Sequence, residues 1–182
     1  MKKRIFKLVT FLVIVIAFVF VSVKSFAATP SMENGAQIRT AGNQGLMFTA
    51  TVDTLDGTSE HGFYLAIGEH TVESIQEAVN NAVDKTKTTV NGSVLLQKPI
   101  TGTATTFKVV VINIPETYYG QEITAVSYVK VGEEISISSA AVTRSIGQVA
   151  LNMASAGDSN SVVEAIITSL TANFKNVRVD EF

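Results

Sequence analysis

Strand-type patterns follow one another from Ala36 to Ser139 with a single helical interruption, and helical patterns occupy the end of the chain. A chain ordered this way lacks the strand–helix alternation that a parallel sheet requires. It predicts an α+β domain: an antiparallel, β-sandwich-like sheet arrangement with one inserted helix and two C-terminal helices.

The strand signals are local and physical. AQIRTA and LMFTATV alternate apolar and polar positions around Gly42-Asn43-Gln44-Gly45, whose glycines supply the positive φ of a tight connection, so a hairpin is expected. FYLAIG is short and apolar with little alternation, the pattern of a strand buried on both faces. The Thr-rich stretch from Asp84 to Thr106, punctuated by Asn91-Gly92, Pro99 and Gly102, reads as short strands and turns. FKVVVINI is a β-branched run of the kind found in a central strand, ended by Pro115. EITAVSYVKV turns at Gly132-Glu133-Glu134 into EISISS as a second hairpin.

Three helices are marked by caps and by spacing. Thr71 precedes Val72, Ile75, Ala78, Val79, Ala82 and Val83, with Glu73 in the first turn. Ser145 with Gln148 fits a capping box, ahead of the stripe Ile146, Val149, Ala150 and Met153. Ser161 with Glu164 repeats the arrangement ahead of Val162, Val163, Ile166, Ile167, Leu170 and Phe174.

The N-terminus carries an address. Lys2, Lys3, Arg4 and Lys7 form a positive region, Leu8 to Val23 an apolar run of 16 residues, and Ser25-Phe26-Ala27 a small-x-small site. These are the parts of a secretory signal peptide, so residues 1–27 are expected to be cleaved after Ala27 and to meet the membrane only in transit. The rival is a retained anchor, since the run approaches the roughly 20 residues that span a bilayer. Residues 28–34 then read as a mobile lead-in and 35–182 as one β-rich globular domain. Five of the 14 Lys and Arg precede residue 28, leaving nine against 16 Asp and Glu, a net charge of -7 for the product. That balance disfavours nucleic acid and anionic membranes as partners. The sequence has no Cys, which removes disulfides, thiolate metal sites and Cys nucleophiles together.

Candidate chemistry is sparse. His61 and His70 flank FYLAIG, and a straight strand at ~3.3 Å per residue holds them roughly 30 Å apart, too far to share a metal, so surface or hydrogen-bonded positions are expected. Asp53, Asp56 and Glu60 surround a Gly turn and invite a calcium reading, although the spacing is not that of an EF-hand and a polar hairpin connection, the better reading, explains the same residues; no other cofactor is indicated. Glu133 and Glu134 alternate in direction if extended, so a turn accounts for them better than a glycosidase pair. Trp is absent, leaving Tyr118 and Tyr119, after Pro115, as exposed ring platforms for a ligand, while Tyr64 and Tyr128 fall inside strands and read as core.

GAQIRTAGNQGLMFTATV places Gly35, Ala36, Ile38 and Arg39 before Gly45, Leu46 and Phe48. This opening resembles a module common in secreted and cell-surface proteins of Gram-positive bacteria, with Gly-Ala-x-Ile-Arg followed by Gly-Leu-x-Phe. HGFYLAIG, NIPETYYGQEITAVSYVKV and AAVTRSIGQVA, with Arg144, Ser145 and Val149, continue the resemblance over most of residues 35–155. It implies an accessory domain without transferable catalytic residues. Arg39 and Arg144, matched within it, have two readings: pairing with carboxylates or carbonyls at a sheet edge, or contact with a ligand.

The leading expectation is therefore a non-enzymatic secreted domain that binds a cell-envelope glycan or surface protein. A hydrolase of envelope polysaccharide working through Asp and Glu carboxylates is the first alternative. Self-assembly through an exposed β edge, favoured by Val109 to Ile112, is the second.

Overall fold

The computed structural model describes residues 28–55, 59–84 and 88–175. The leader with its cleavage site after Ala27, the calcium candidate Asp56 and the last seven residues lie outside them. The strands in order are β1 (Ser31–Met32), β2 (Gln37–Arg39), β3 (Gly45–Thr51), β4 (Glu60–Ile67), β5 (Thr88–Val90) and β6 (Ser93–Ile100). They continue with β7 (Thr106–Ile112), β8 (Ile123–Val131), β9 (Glu134–Ile137) and β10 (Val142–Arg144). Helix α1 (Val72–Asn81) is inserted between β4 and β5, and α2 (Ile146–Ser155) and α3 (Ser161–Lys175) end the described chain.

All strand pairs are antiparallel and fall into two packed sheets, giving the expected α+β, sandwich-like domain. In the four-stranded sheet β1 and β2 share one side of β3, and β7 takes the other. In the six-stranded sheet β4 lies between β8 and β6, with β5 beyond β6 and with β9 and β10 beyond β8. The expected hairpins form at β2–β3 and β8–β9. A third joins β5 to β6 through Asn91 and Gly92, both at positive φ (49° and 84°), as in the primed turns that match strand twist.

Three expectations need correction. The sheet begins before Gly35, because Ser31 and Met32 pair with Thr51 and Ala50 and the Met32 side chain is buried in the inter-sheet core. β7 is not central: among the described residues its only partner is β3, and its apolar composition reflects the burial of side chains such as Phe107 and Val109 between the sheets rather than two lateral neighbours. The N-cap of α3 is Asn160, whose Oδ1 accepts from the Val162 amide at 2.9 Å, rather than Ser161. Thr71 and Ser145 do cap their helices, accepting from the amides of Ser74 (3.2 Å) and Gln148 (3.1 Å).

The alternation of β4 explains the layering. Phe63 and Leu65 enter the core between the sheets with Phe48, Phe107 and Ala125. Tyr64 and Ala66 point the other way, onto Ile75 and Val79 of α1. Phe63 to Ala66 are thus buried on both faces, as the sequence predicts, whereas Ile67 at the end of FYLAIG is exposed. Ile146, Val149, Val163 and Ile166 extend the inter-sheet core toward Ile38 and Val142, so α2 and α3 close the flank formed by β2 and β10. The opposite flank, formed by β7 and β6, carries no α-helix among the described residues, only the single 3-10 turn Glu116–Tyr118 at one end.

Candidate functional site

That open flank holds an apolar groove of about 550 Å³. Its origin is an offset between the sheets. β1 lies against β8 and β7 lies against β4, so β6 and β5 project past the end of the four-stranded sheet. Register fixes which side chains this uncovers. Leu65 stands opposite Leu96, and Ile67 opposite Ile123, so Ile67, Leu65, Leu96 and Val94 share the face turned toward the other sheet. Leu65 lies beneath β7 and is buried, whereas Val94 and Leu96 are 69% and 54% exposed and Ile67 is 59% exposed. Val111 and Ile112 of β7 form the facing wall, and the segment from Asn113 to Gln121 closes one end.

The closing segment is held in place. Gly147 of α2 donates its amide to the Tyr119 carbonyl at 2.8 Å, at a point so tight that a Cβ on Gly147 would fall 2.7 Å from that oxygen. Ser169 donates its hydroxyl to the Glu116 carboxylate, and Asn173 Nδ2 donates to the Glu116 carbonyl at 3.1 Å. Tyr118, 55% exposed, thereby stands on the rim of the groove. Tyr119 is only partly exposed and packs on the inter-sheet core beside a second cleft of about 370 Å³, which Ile38, Gly45 and Val162 also line. The two neighbouring rings consequently serve different clefts and do not form one platform.

The other sequence candidates are placed apart from the groove. Arg39 wraps the β2–β3 turn, its Nε donating to the Asn43 carbonyl at 2.7 Å and its Nη2 to the same oxygen. Arg144 Nη1 donates to the Thr143 carbonyl at 2.7 Å on β10, beside a cleft with Asn34 and Asn152. Both guanidinium groups therefore hold backbone carbonyls at sheet edges. Asp53 is exposed, and Glu60 accepts from Tyr128 Oη at 2.8 Å and from Gln97 Nε2 at 3.2 Å. Among the described residues no three His, Asp or Glu side chains stand close enough to hold a metal ion. Of five clefts on the described surface none is lined by more than one carboxylate.

Burial governs the titratable groups that remain. The rings of Tyr64 and Tyr128 meet at 4.8 Å beneath α1, as core residues. Burial, with the nearby Glu60 charge adding, pushes Tyr64 up to about 12. Burial and then the hydrogen bond to Glu60 raise Tyr128 further. His70 is hydrogen-bonded as expected, Nε2 donating to the Ile67 carbonyl at 2.9 Å. His61 is not: it is 1% exposed, its ring meets Phe107 edge-on at 4.7 Å, and neither ring nitrogen has a partner among the described residues. Burial lowers its pKa, with the Glu60 charge opposing, so the ring is held as neutral imidazole.

The groove residues Ile67, Val94, Leu96 and Ile112 carried no individual signal in the sequence. The consecutive Val94-Leu95-Leu96 was the available one, because three adjacent apolar residues in a strand put apolar side chains on both faces. Comparison with protein-family models, curated proteins and solved structures finds no match.

Proposed function

We propose that this chain is a secreted, non-enzymatic binding domain that holds a component of the cell envelope in the groove of its open flank. The observation that carries the reading is the run of exposed apolar side chains at Ile67, Val94, Leu96 and Ile112 along one continuous cleft. Contiguous exposed apolar surface in a chain of this size marks an interaction site. Groove chemistry favours a protein over a glycan: Tyr118 supplies one ring, and Asn113 and Gln121 are the only amide side chains in the lining. Hydrolysis draws no support, since converging carboxylates are what that reaction requires. Export rests on the charged, apolar and small-residue parts of the first 27 residues.

Retention of the purified protein on envelope fractions, intact or stripped of protein by protease, tests the reading. Intact envelope is expected to retain it, and Leu96→Glu, which sets a charge in the groove floor, is expected to abolish retention. Equal retention of the Leu96→Glu protein overturns the reading.

A further inference from the structure

We propose that the occupant of the groove is an extended segment of another protein, added as a further antiparallel strand to the free edge of β7. The inference rests on the binding reading above and specifies how the partner is held.

Backbone phase comes first. The Val52 amide donates to the Thr105 carbonyl at 2.8 Å, and Thr51 stands opposite Thr106. Antiparallel pairs alternate between bonded and non-bonded, so Thr105, Phe107, Val109 and Val111 turn their amides and carbonyls toward β3. Thr106, Lys108, Val110 and Ile112 therefore turn theirs outward, and no strand pairs with them among the described residues. β7 is also the long edge. Among the described residues the other edge strands, β1, β2, β5, β9 and β10, run two to four residues, and the stretch of β6 that β5 leaves uncovered, residues 96–100, contains Pro99, whereas β7 runs seven and carries Val109-Val110-Val111-Ile112 without a Pro. Short edges and prolines are two of the usual protections against strand addition, and both are missing from β7, whose one charged residue, Lys108, stands near its start and leaves the run 109–112 uncharged.

Strand spacing decides what fits the slot beside this edge. Neighbouring strands in a sheet lie ~4.8 Å apart and packed sheets ~10 Å apart. Because β7 lies over β4, a strand bonded to β7 lies over the next strand of the facing sheet, which is β6. Its alternate side chains would cover Val94 and Leu96, the residues left bare by the offset. One strand thus satisfies the free amides and covers the exposed floor together.

The chemistry of the segment follows. Lys98 continues the Val94–Leu96 face of β6, and Lys108 lies at the matching end of β7, where Phe63 and Phe107 meet at 5.3 Å, but on the outer face, since its neighbours Phe107 and Val109 turn between the sheets. Both lysines are exposed, and neither has an ion-pair partner among the described residues. The occupant is accordingly β-branched and apolar at alternate positions, with two adjacent acidic residues at that end, one turned inward to Lys98 and the next turned outward to Lys108. A second copy of β7 does not suit the slot. Paired antiparallel, it would bring its own β4 beneath it, into the space that β6 of the first copy fills.

The probe is a labelled ten-residue peptide of alternating Val and Thr with two Asp at one end, titrated into the purified protein. Binding is expected, with amide exchange slowed at Lys108, Val110 and Ile112. The same peptide N-methylated at alternate residues keeps its side chains but loses its donors, and is expected to bind at least about tenfold more weakly. Val110→Pro removes one outward amide and spares the β3 ladder, and should weaken the unmodified peptide to a similar degree. Equal affinity of both peptides, unchanged exchange at the three amides, no binding of the unmodified peptide, or a dimer built through β7 in light scattering each overturns the proposal. Envelope retention lost in Leu96→Glu but kept in Val110→Pro would leave the binding reading standing and remove strand addition.

Discussion

Leu65 and Leu96 stand directly opposite each other in register on neighbouring strands, yet Leu65 is 7% exposed and Leu96 is 54% exposed. Identical side chains one strand apart therefore have different tasks. Leu65→Ala is expected to cost about 2–5 kcal/mol through lost burial and the cavity left behind. Leu96→Ala should change stability by less than ~0.5 kcal/mol, because little burial is lost. Urea unfolding of the two variants checks the contrast, and equal losses would show that the floor of the groove is covered.

Gly62 and Gly120 make a similar pair for the backbone. A Cβ on Gly62 would fall 2.2 Å from the Lys98 carbonyl oxygen across the β4–β6 ladder, whereas nothing lies within 4 Å of one on Gly120. Gly62→Ala must move a strand and is expected to destabilise by about 1–3 kcal/mol or more. Gly120→Ala should stay within ~0.5 kcal/mol of the parent. Thermal unfolding measures both.

His61 should make the domain sensitive to acid. Its folded pKa is lowered from 6.5, so the unfolded chain binds a proton more readily than the folded one. Stability from this site is complete above pH 6.5 and declines as pH falls below it toward the folded value. His61→Phe is expected to flatten that decline when urea midpoints are compared at pH 5 and pH 7.5. An unchanged slope would place the acid sensitivity elsewhere.

Tyr64 and Tyr128 act at the alkaline end. Their folded pKa values are raised above 10.0, so the stability they contribute is complete below pH 10 and is lost as pH rises through the folded values, about 12 for Tyr64. Phenolate absorbance from these two rings should appear together with unfolding in an alkaline titration. Tyr128→Phe, which releases Glu60, should cost about 1 kcal/mol at neutral pH, a modest figure because Glu60 is exposed. Phenolate signal from both rings ahead of any loss of structure would contradict the burial described.

Local features were legible in the sequence because their causes are local. Thr71 and Ser145 cap their helices through a hydroxyl three residues from its donor, and FYLAIG declares two buried faces by failing to alternate. What was not legible depends on distance along the chain. β7 reads as central because Val and Ile report buried faces, whereas the number of lateral neighbours is set by where other strands go. The groove draws on residues 65–67, on Val94 and Leu96, on residues 111–115, and on Tyr118, Gln121 and Ile123, four stretches whose meeting depends on the offset between sheets. His61 reads as a surface or hydrogen-bonded residue, but strand parity turns it inward with Phe63 and Leu65, where its ring nitrogens meet no partner among the described residues. Met32 likewise joins the core through pairing with Ala50 on a distant strand.

The placement of β4 between β6 and β8 also sets a timetable. Its pairings with β8 join residues 56 to 70 positions apart, from Ile67 with Ile123 to Glu60 with Lys130. Contacts so far apart in sequence slow folding, because the intervening chain must lose its freedom before the ladder gains anything. The central ladder cannot close until β8 has left the ribosome, and in the absence of cysteine no cross-link can hold an early intermediate. A nascent chain with this topology stays open throughout most of its synthesis, which is the state in which a polypeptide can be threaded through a narrow channel.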